Sequence, residues 1–127
     1  MPYARIEIPA GWSASRKNDL LDAVDAALVE VLGVPPNDAY LRLFEYADAR
    51  VPHCHGPQFT FIEIQLFPGR RPQTKARLYR RLVDRLAGLG IPAADLTIAL
   101  LEIPAENWGI RGGQPASAID PGFPVAV

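Results

Sequence analysis

The chain has 127 residues, 49% of them hydrophobic and 21% charged, with a formal net charge of −1. That length predicts one domain burying roughly 65–70% of its unfolded surface, and the composition excludes a disordered chain. Thirteen Lys and Arg against fourteen Asp and Glu give no charge argument for a nucleic-acid or membrane partner. No apolar run approaches the roughly 18–20 residues of a membrane span, no secretory signal is visible, and the lone Cys54 cannot form an intrachain disulfide. A soluble cytoplasmic domain is the expectation.

Residues 3–8 alternate in polarity and predict a strand, broken by Gly11. From Ser15 to Leu32, Leu20, Leu21, Val24, Ala27, Leu28 and Val31 recur at helical spacing, with Ser13 or Ser15 as N-cap. Gly33 ends that helix and Pro35-Pro36 forbids its continuation. Tyr40 to Tyr46 alternates again, with Tyr40, Arg42, Phe44 and Tyr46 on one face. Residues 47–58 lack periodicity and read as a loop. The order then repeats: a strand over Phe59–Phe67, a helix over Pro72–Leu89 stopped by Gly90, and a strand over Leu96–Ile103.

The residues repeat as well as the elements. At an offset of 57, Leu32-Gly33-Val34-Pro35 and Asp38 match Leu89-Gly90-Ile91-Pro92 and Asp95, and Leu43 and Glu45 match Leu100 and Glu102. Upstream the offset is 58: Gly11 matches Gly69, Lys17 matches Lys75, Leu20 matches Leu78 and Leu28 matches Leu86. Two β-α-β units, about 2–46 and 59–103, therefore read as copies of one ancestral unit with a tail over 104–127. Strands joined by a helical crossover are parallel. The expected fold class is α+β: a four-stranded sheet with two helices on one face, plus a short C-terminal turn or hairpin. The other face needs a cover, since Phe61 and Phe67 alternate with Ile62, Ile64 and Leu66, and an oligomer is expected. The first helix carries a net charge of −2 and the segment 70–86 a net +6, so the two would attract as neighbours.

Several positions could carry chemistry. The small residue after Met1 predicts removal of Met1, which would make Pro2 a secondary amine. Burial and nearby cations would lower its pKa and leave it a general base at neutral pH; otherwise it is a proline heading a strand. Arg70 and Arg71 stand where a strand meets a helix opened by Pro72, a place suited to a carboxylate, or to a solvated pair or ion pair. Asp38 and Tyr40 share a strand face and could present a carboxylate and a phenol to a pocket, although the counterpart Asp95 favours a turn role for the type. His53-Cys54-His55 is an awkward wrap for one ion and reads as a loop. Trp108, in Asn107-Trp108-Gly109-Ile110-Arg111-Gly112-Gly113, suits a tight hairpin that packs the ring on a pocket wall or a subunit contact.

Taken together, Met1-Pro2, the segment Gly33 to Tyr40, Gly69-Arg70 before Lys75, and Asn107-Trp108-Gly109 resemble the tautomerase superfamily. The resemblance covers roughly residues 2–113. The doubled unit is similar to the branch that includes malonate semialdehyde decarboxylase and the cis-3-chloroacrylic acid dehalogenases. It implies a trimer, Pro2 as the catalytic proline, Arg70 as the carboxylate-binding arginine, a catalytic Asp38 followed by Tyr40, and Trp108 near the site. Pro68 stands where the decarboxylase branch has a second arginine, with Arg71 adjacent instead. The first helix lacks the histidine of the dehalogenases, and no acidic residue follows Asp120.

The expected function is a cofactor-independent, metal-independent tautomerase of a small keto–enol carboxylate. Pro2, Asp38 and Arg70 would be catalytic, with Arg71, Tyr40 and Trp108 binding substrate. One alternative is a decarboxylase or hydratase of a small 3-oxo or unsaturated acid, which needs a cationic Pro2. The other is a non-catalytic trimeric binding protein on the same fold.

Overall fold

A computed structural model describes residues 1–127. The elements run β1 (Tyr3–Pro9), α1 (Ala14–Leu32), β2 (Tyr40–Tyr46), β3 (Thr60–Leu66), α2 (Pro72–Ala87) and β4 (Leu96–Glu102). The expected hairpin follows as β5 (Gly109–Ile110) and β6 (Gln114–Pro115). Strands within each unit are parallel, and the units meet through an antiparallel β1–β3 pair, giving the order β2-β1-β3-β4. The pairing reproduces both sequence offsets. Tyr3 lies opposite Tyr40, and Phe61, 58 residues after Tyr3, lies opposite Thr97, 57 residues after Tyr40.

The missing residue is absorbed at the end of α2. In α1, whose N-cap is Ser13, Gly33 adopts φ 69° and its N–H reaches Val29 O at 3.1 Å. In α2 the regular helix stops at Ala87, two residues short of the expected Leu89. Gly90, at φ 87°, is still the left-handed residue that turns the chain. Its N–H donates to Ala87 O and that of Ile91 to Leu86 O, both at 3.1 Å, a tighter 6→1 closure that uses one residue fewer. A side chain at Gly90 would be strained by the positive φ, and its Cβ, 2.9 Å from Arg16 Nη2, would make that guanidinium shift. That guanidinium stacks on Trp12 and donates to Leu89 O at 2.8 and 3.1 Å.

The strand period of two sorts the sheet into unlike faces. Ala4, Ile6, Ile8, Ile62, Ile64 and Leu66 are buried beneath Leu20, Val24 and Leu28 of α1 and Leu78, Leu82 and Leu86 of α2. Replacing the fully buried Leu82 by Ala is expected to cost about 2–5 kcal/mol, through lost transfer energy and a residual cavity, measured by urea unfolding at fixed protein concentration. The charge contrast between the helices is realised at Glu30, which pairs with Arg81 at 2.8 Å and Arg85 at 3.0 Å. The two units also keep an equivalent ion pair, Lys17 with Glu45 and Lys75 with Glu102. The opposite sheet face leaves Tyr40, Phe44 and Leu101 exposed. No helix is long and apolar enough to cross a membrane.

Candidate active site

Topology gathers several of the candidate residues. Because β1 and β3 are antiparallel, the head of β1 lies beside the tail of β3, with Tyr3 opposite Gln65. β2 runs parallel to β1 and β4 parallel to β3. Met1-Pro2, Asp38 to Tyr40, Phe67 to Arg70 and the segment after β4 therefore meet at one end of the sheet.

The terminal amine, here that of Met1, donates to Asp38 Oδ2 at 2.6 Å. Pro2 is buried, and its carbonyl accepts from Tyr40 N at 2.9 Å, which ties the heads of β1 and β2 together. Burial pulls the amine below its ordinary range. The hydrogen bond and charge of Asp38 push the other way, and Arg70 adds a smaller lowering. The Asp38 effects do not overcome the burial.

Arg70 is only 5% exposed. Its Nη1 donates to Phe67 O at 3.0 Å, while its buried Nε has no partner. Burial lowers the guanidinium's pKa and Glu102 opposes that shift. A cation with an unused donor, buried near the amine, is suited to an anionic ligand. The C-terminal tail lies over this corner: the Phe123 ring is 5.9 Å from the Arg70 guanidinium carbon, and Arg71 N donates to Val127 O at 2.9 Å. Arg71 itself is exposed at the N-cap of α2, and neither arginine lines the cavities at the amine.

Tyr40 stacks on Tyr3 with centroids 4.2 Å apart and planes 2° from parallel. Burial, then Tyr40, raise the pKa of the Tyr3 phenol. Trp108 packs against Tyr3 and Phe67 at 5.4 and 5.6 Å, and its Nε1 is spent on Ile103 O at 3.0 Å. Its indole is thus an apolar wall and not a free donor. A cavity of about 360 Å³ opens among Met1, Tyr3, Asp38, Tyr40, Ile110 and Arg111. A smaller one adjoins it, sharing Met1, Asp38 and Arg111 and reaching Phe67 and Asp120.

Tyr3 and Arg111 are thus site-lining residues that the sequence reading did not select. The register that puts Tyr3 opposite Tyr40 could have found the first; only the course of the hairpin finds the second. A larger cavity, about 430 Å³, lies elsewhere among Arg5, Phe44, Tyr46, Arg50 and Phe59. It has no part of the terminal amine, so size does not locate the chemistry here.

The remaining candidates have local roles. Asp38 and Asp95 head the same turn, with N–H groups donating to Pro35 O and Pro92 O at 3.1 and 2.9 Å. Their carboxylates differ: that of Asp95 is buried and accepts from Gly56 N and Gln58 N at 2.6 and 3.2 Å. A ring nitrogen of His55 lies 2.7 Å from Ala94 O and its ring packs near Phe59, while Cys54 is exposed. At the other end of the sheet, the positions equivalent to Pro2 and Arg70 hold the buried Thr60 and Trp12.

Comparison with known proteins agrees with this fold. A family model described as tautomerase enzyme matches residues 46–111, just over half of the chain. The chain belongs to the tautomerase superfamily, whose members are generally catalytic. A protein of Ralstonia nicotianae named "Probable tautomerase RSp0893" is 33% identical over 61 residues, which is 47% of this chain and 87% of that protein. FG41 malonate semialdehyde decarboxylase, solved with the inhibitor 3-bromopropiolate, is 27% identical with a TM-score of 0.80, over 91% of this chain and 94% of that one. A fused 4-OT solved as a symmetric trimer is 29% identical with a TM-score of 0.80, over 91% and 97%. Pt0534 inactivated by 2-oxo-3-pentynoate is 25% identical with a TM-score of 0.84, over 92% and 98%.

Proposed function

We propose that the chain, after removal of Met1, is a cofactor-independent tautomerase of a small keto–enol carboxylic acid, with neutral Pro2 as the general base. The observation that carries this reading is the corner shared by the buried Pro2, the terminal amine bonded to Asp38, and the buried Arg70 with its unpartnered Nε; burial, and to a smaller extent Arg70, lower the pKa of that amine while Asp38 opposes them. Loss of Met1 transfers the amine to the already buried Pro2. The proline nitrogen would then take the enol hydroxyl proton as the oxygen lone pair closes the carbonyl, and the resulting ammonium would return a proton to the adjacent carbon. Arg70 would hold the carboxylate and offset charge on the enolate. Asp38 would orient the amine, with Tyr40 and Trp108 as walls. All 127 residues form one domain on this reading, supported by a core that joins residues of both units. A trimer in which the exposed sheet faces meet would cover Tyr40, Phe44 and Leu101.

Asp38 beside the amine at 2.6 Å favours a second reading, decarboxylation or hydration with a cationic Pro2. The pH dependence of covalent labelling by 2-oxo-3-pentynoate separates the two, since only a neutral amine adds across the alkyne, forming an N–C bond while a proton goes to the neighbouring carbon. Intact mass should show Met1 absent and a gain of one reagent molecule. The labelling rate should rise to a plateau with a midpoint below the ordinary α-amino range of about 7.7–8.0. Asp38→Asn removes a group that raises the amine pKa, so the midpoint should move to lower pH. A midpoint above that range would transfer support to the cationic reading. A retained Met1 and no labelling would support a binding protein without catalysis.

A further inference from the structure

Arg70 is placed near the terminal amine but closed off from it. It is 5% exposed and keeps a buried Nε without a partner, yet it borders neither cavity beside the amine. A carboxylate entering those cavities therefore meets no part of the guanidinium while the chain stays as it is. Over the guanidinium stands the C-terminal tail, with the centre of the Phe123 ring 5.9 Å from its carbon. An orphaned donor costs free energy in a closed site, and an anion reaching it would recover that cost.

The tail is held lightly. The hydrogen bond from the body to residues 121–127 is that of Arg71 N to Val127 O, at 2.9 Å. Phe123 packs at the edge of the core, only partly buried, and Val125 O lies 3.3 Å from where a Cβ on Gly69 would stand. Gly11, the equivalent glycine of the first unit, has nothing within 4 Å of the same point, so the close approach at Gly69 belongs to the tail. Beneath the tail a cavity of about 240 Å³ remains, lined by Phe67, Pro68, Ile119, Pro121 and Val125. Phe67, Ile119 and Pro121 also line the small cavity at the amine, so the two spaces adjoin. The chain enters the tail through Gly122, at φ 82°, whose N–H donates to Asp120 Oδ1 at 2.9 Å. A Cβ at Gly122 would meet nothing within 4 Å, so the backbone has room to change there.

We infer that residues 121–127 form a gate over the anion site, and that a small carboxylic acid reaches Arg70 only when the tail lifts and its carboxylate takes the place of the Phe123 ring. Gly122 is the hinge and Phe123 the cover. This deepens the tautomerase reading and rests on it for the reaction, but the binding it describes is measurable without turnover.

The test is an NMR titration with butyrate, a small monocarboxylate, followed in wild type and variants. An open form that makes up about 10% or less of the population weakens apparent binding by about tenfold or more. Phe123→Ala should therefore bind butyrate about tenfold more tightly than wild type. Gly122→Ala removes no contact and strains the docked turn, so it should tighten binding by a smaller factor. In Arg70→Ala the gain from Phe123→Ala should vanish. A Phe123 that merely supports the fold predicts a lower melting temperature with no gain in affinity. Unchanged or weaker binding in folded Phe123→Ala, or a gain that persists without Arg70, overturns the proposal. If Phe123→Ala does not fold, unchanged binding in Gly122→Ala overturns it alone. Absence of labelling and turnover with these gains intact would defeat the tautomerase reading and leave the gate standing, whereas labelling without the gains would defeat the gate only.

Discussion

Pro2→Ala is expected to lower kcat/KM for a generic enol acid such as phenylenolpyruvate by about 10²- to 10⁴-fold, the range that a positioned general base contributes. Alanine is also small, so Met1 would still be removed, and a terminal amine would still stand at the head of β1. The variant thus isolates the secondary amine and its ring from the mere presence of a basic nitrogen. Tyr40 N bonds the carbonyl of residue 2, a backbone contact that alanine preserves, so the β1–β2 pairing should survive. Steady-state kinetics beside a far-UV spectrum and a melting curve check this. Unchanged turnover in a folded variant would remove Pro2 from the reaction.

Arg70→Ala should lower kcat/KM by about 10²- to 10³-fold, comparable to loss of one preorganised donor to developing anionic charge. The larger part of the effect should appear in KM if Arg70 mainly holds the ground-state carboxylate, and in kcat if it acts on the enolate. A second signature has a defined sign. Arg70 lowers the pKa of the terminal amine, so its removal raises that pKa, and the acid limb of the pH–rate profile moves to higher pH. Asp38→Asn moves the same limb the opposite way. Opposed shifts in the two variants would be hard to produce by general loosening of the fold. Shifts in the same direction would mean that the amine does not lie between these charges in the working enzyme.

Much of the fold was legible because it was written twice. The offsets of 57 and 58 located both β-α-β units, and glycines at 33 and 90 with proline two residues later located both helix ends. The extent of α2 was overestimated by two residues. A 6→1 closure and a simpler left-handed cap draw on the same glycine signal, and only the hydrogen bonds to Leu86 and Ala87 distinguish them. How the units join was not legible: parallel pairing follows from each crossover, but nothing local dictates that β1 meets β3 antiparallel. That one pairing brings Pro2 beside Arg70.

Pro2, Asp38, Tyr40, Arg70 and Trp108 gather at one end of the sheet, and Arg71 is exposed beside Arg70 at the head of α2. Arg70 is buried and Arg71 exposed, a difference that two adjacent arginines in the sequence do not announce. Arg111 was hidden for the opposite reason. It is distant in sequence from the other residues and sits in a glycine-rich run whose evident signal is a turn. The burial of Arg70 under Phe123 was likewise invisible, because the tail has no periodicity to announce where it docks.

The presence of Thr60 at the position equivalent to Pro2 has a meaning beyond sequence drift. A proline in the interior of a polypeptide has its nitrogen locked in an amide, with no lone pair available for a proton. Covalent joining of two ancestral units therefore silences one of their two amines at once, whatever residue later occupies the place. The positions that match Arg70 and Asp38 hold Trp12 and Asp95. Trp12 now supports Arg16, and Asp95 holds the backbone of the preceding loop. A proline placed at position 60 would still be an amide; only cutting the chain just before it would give that nitrogen a lone pair for a proton.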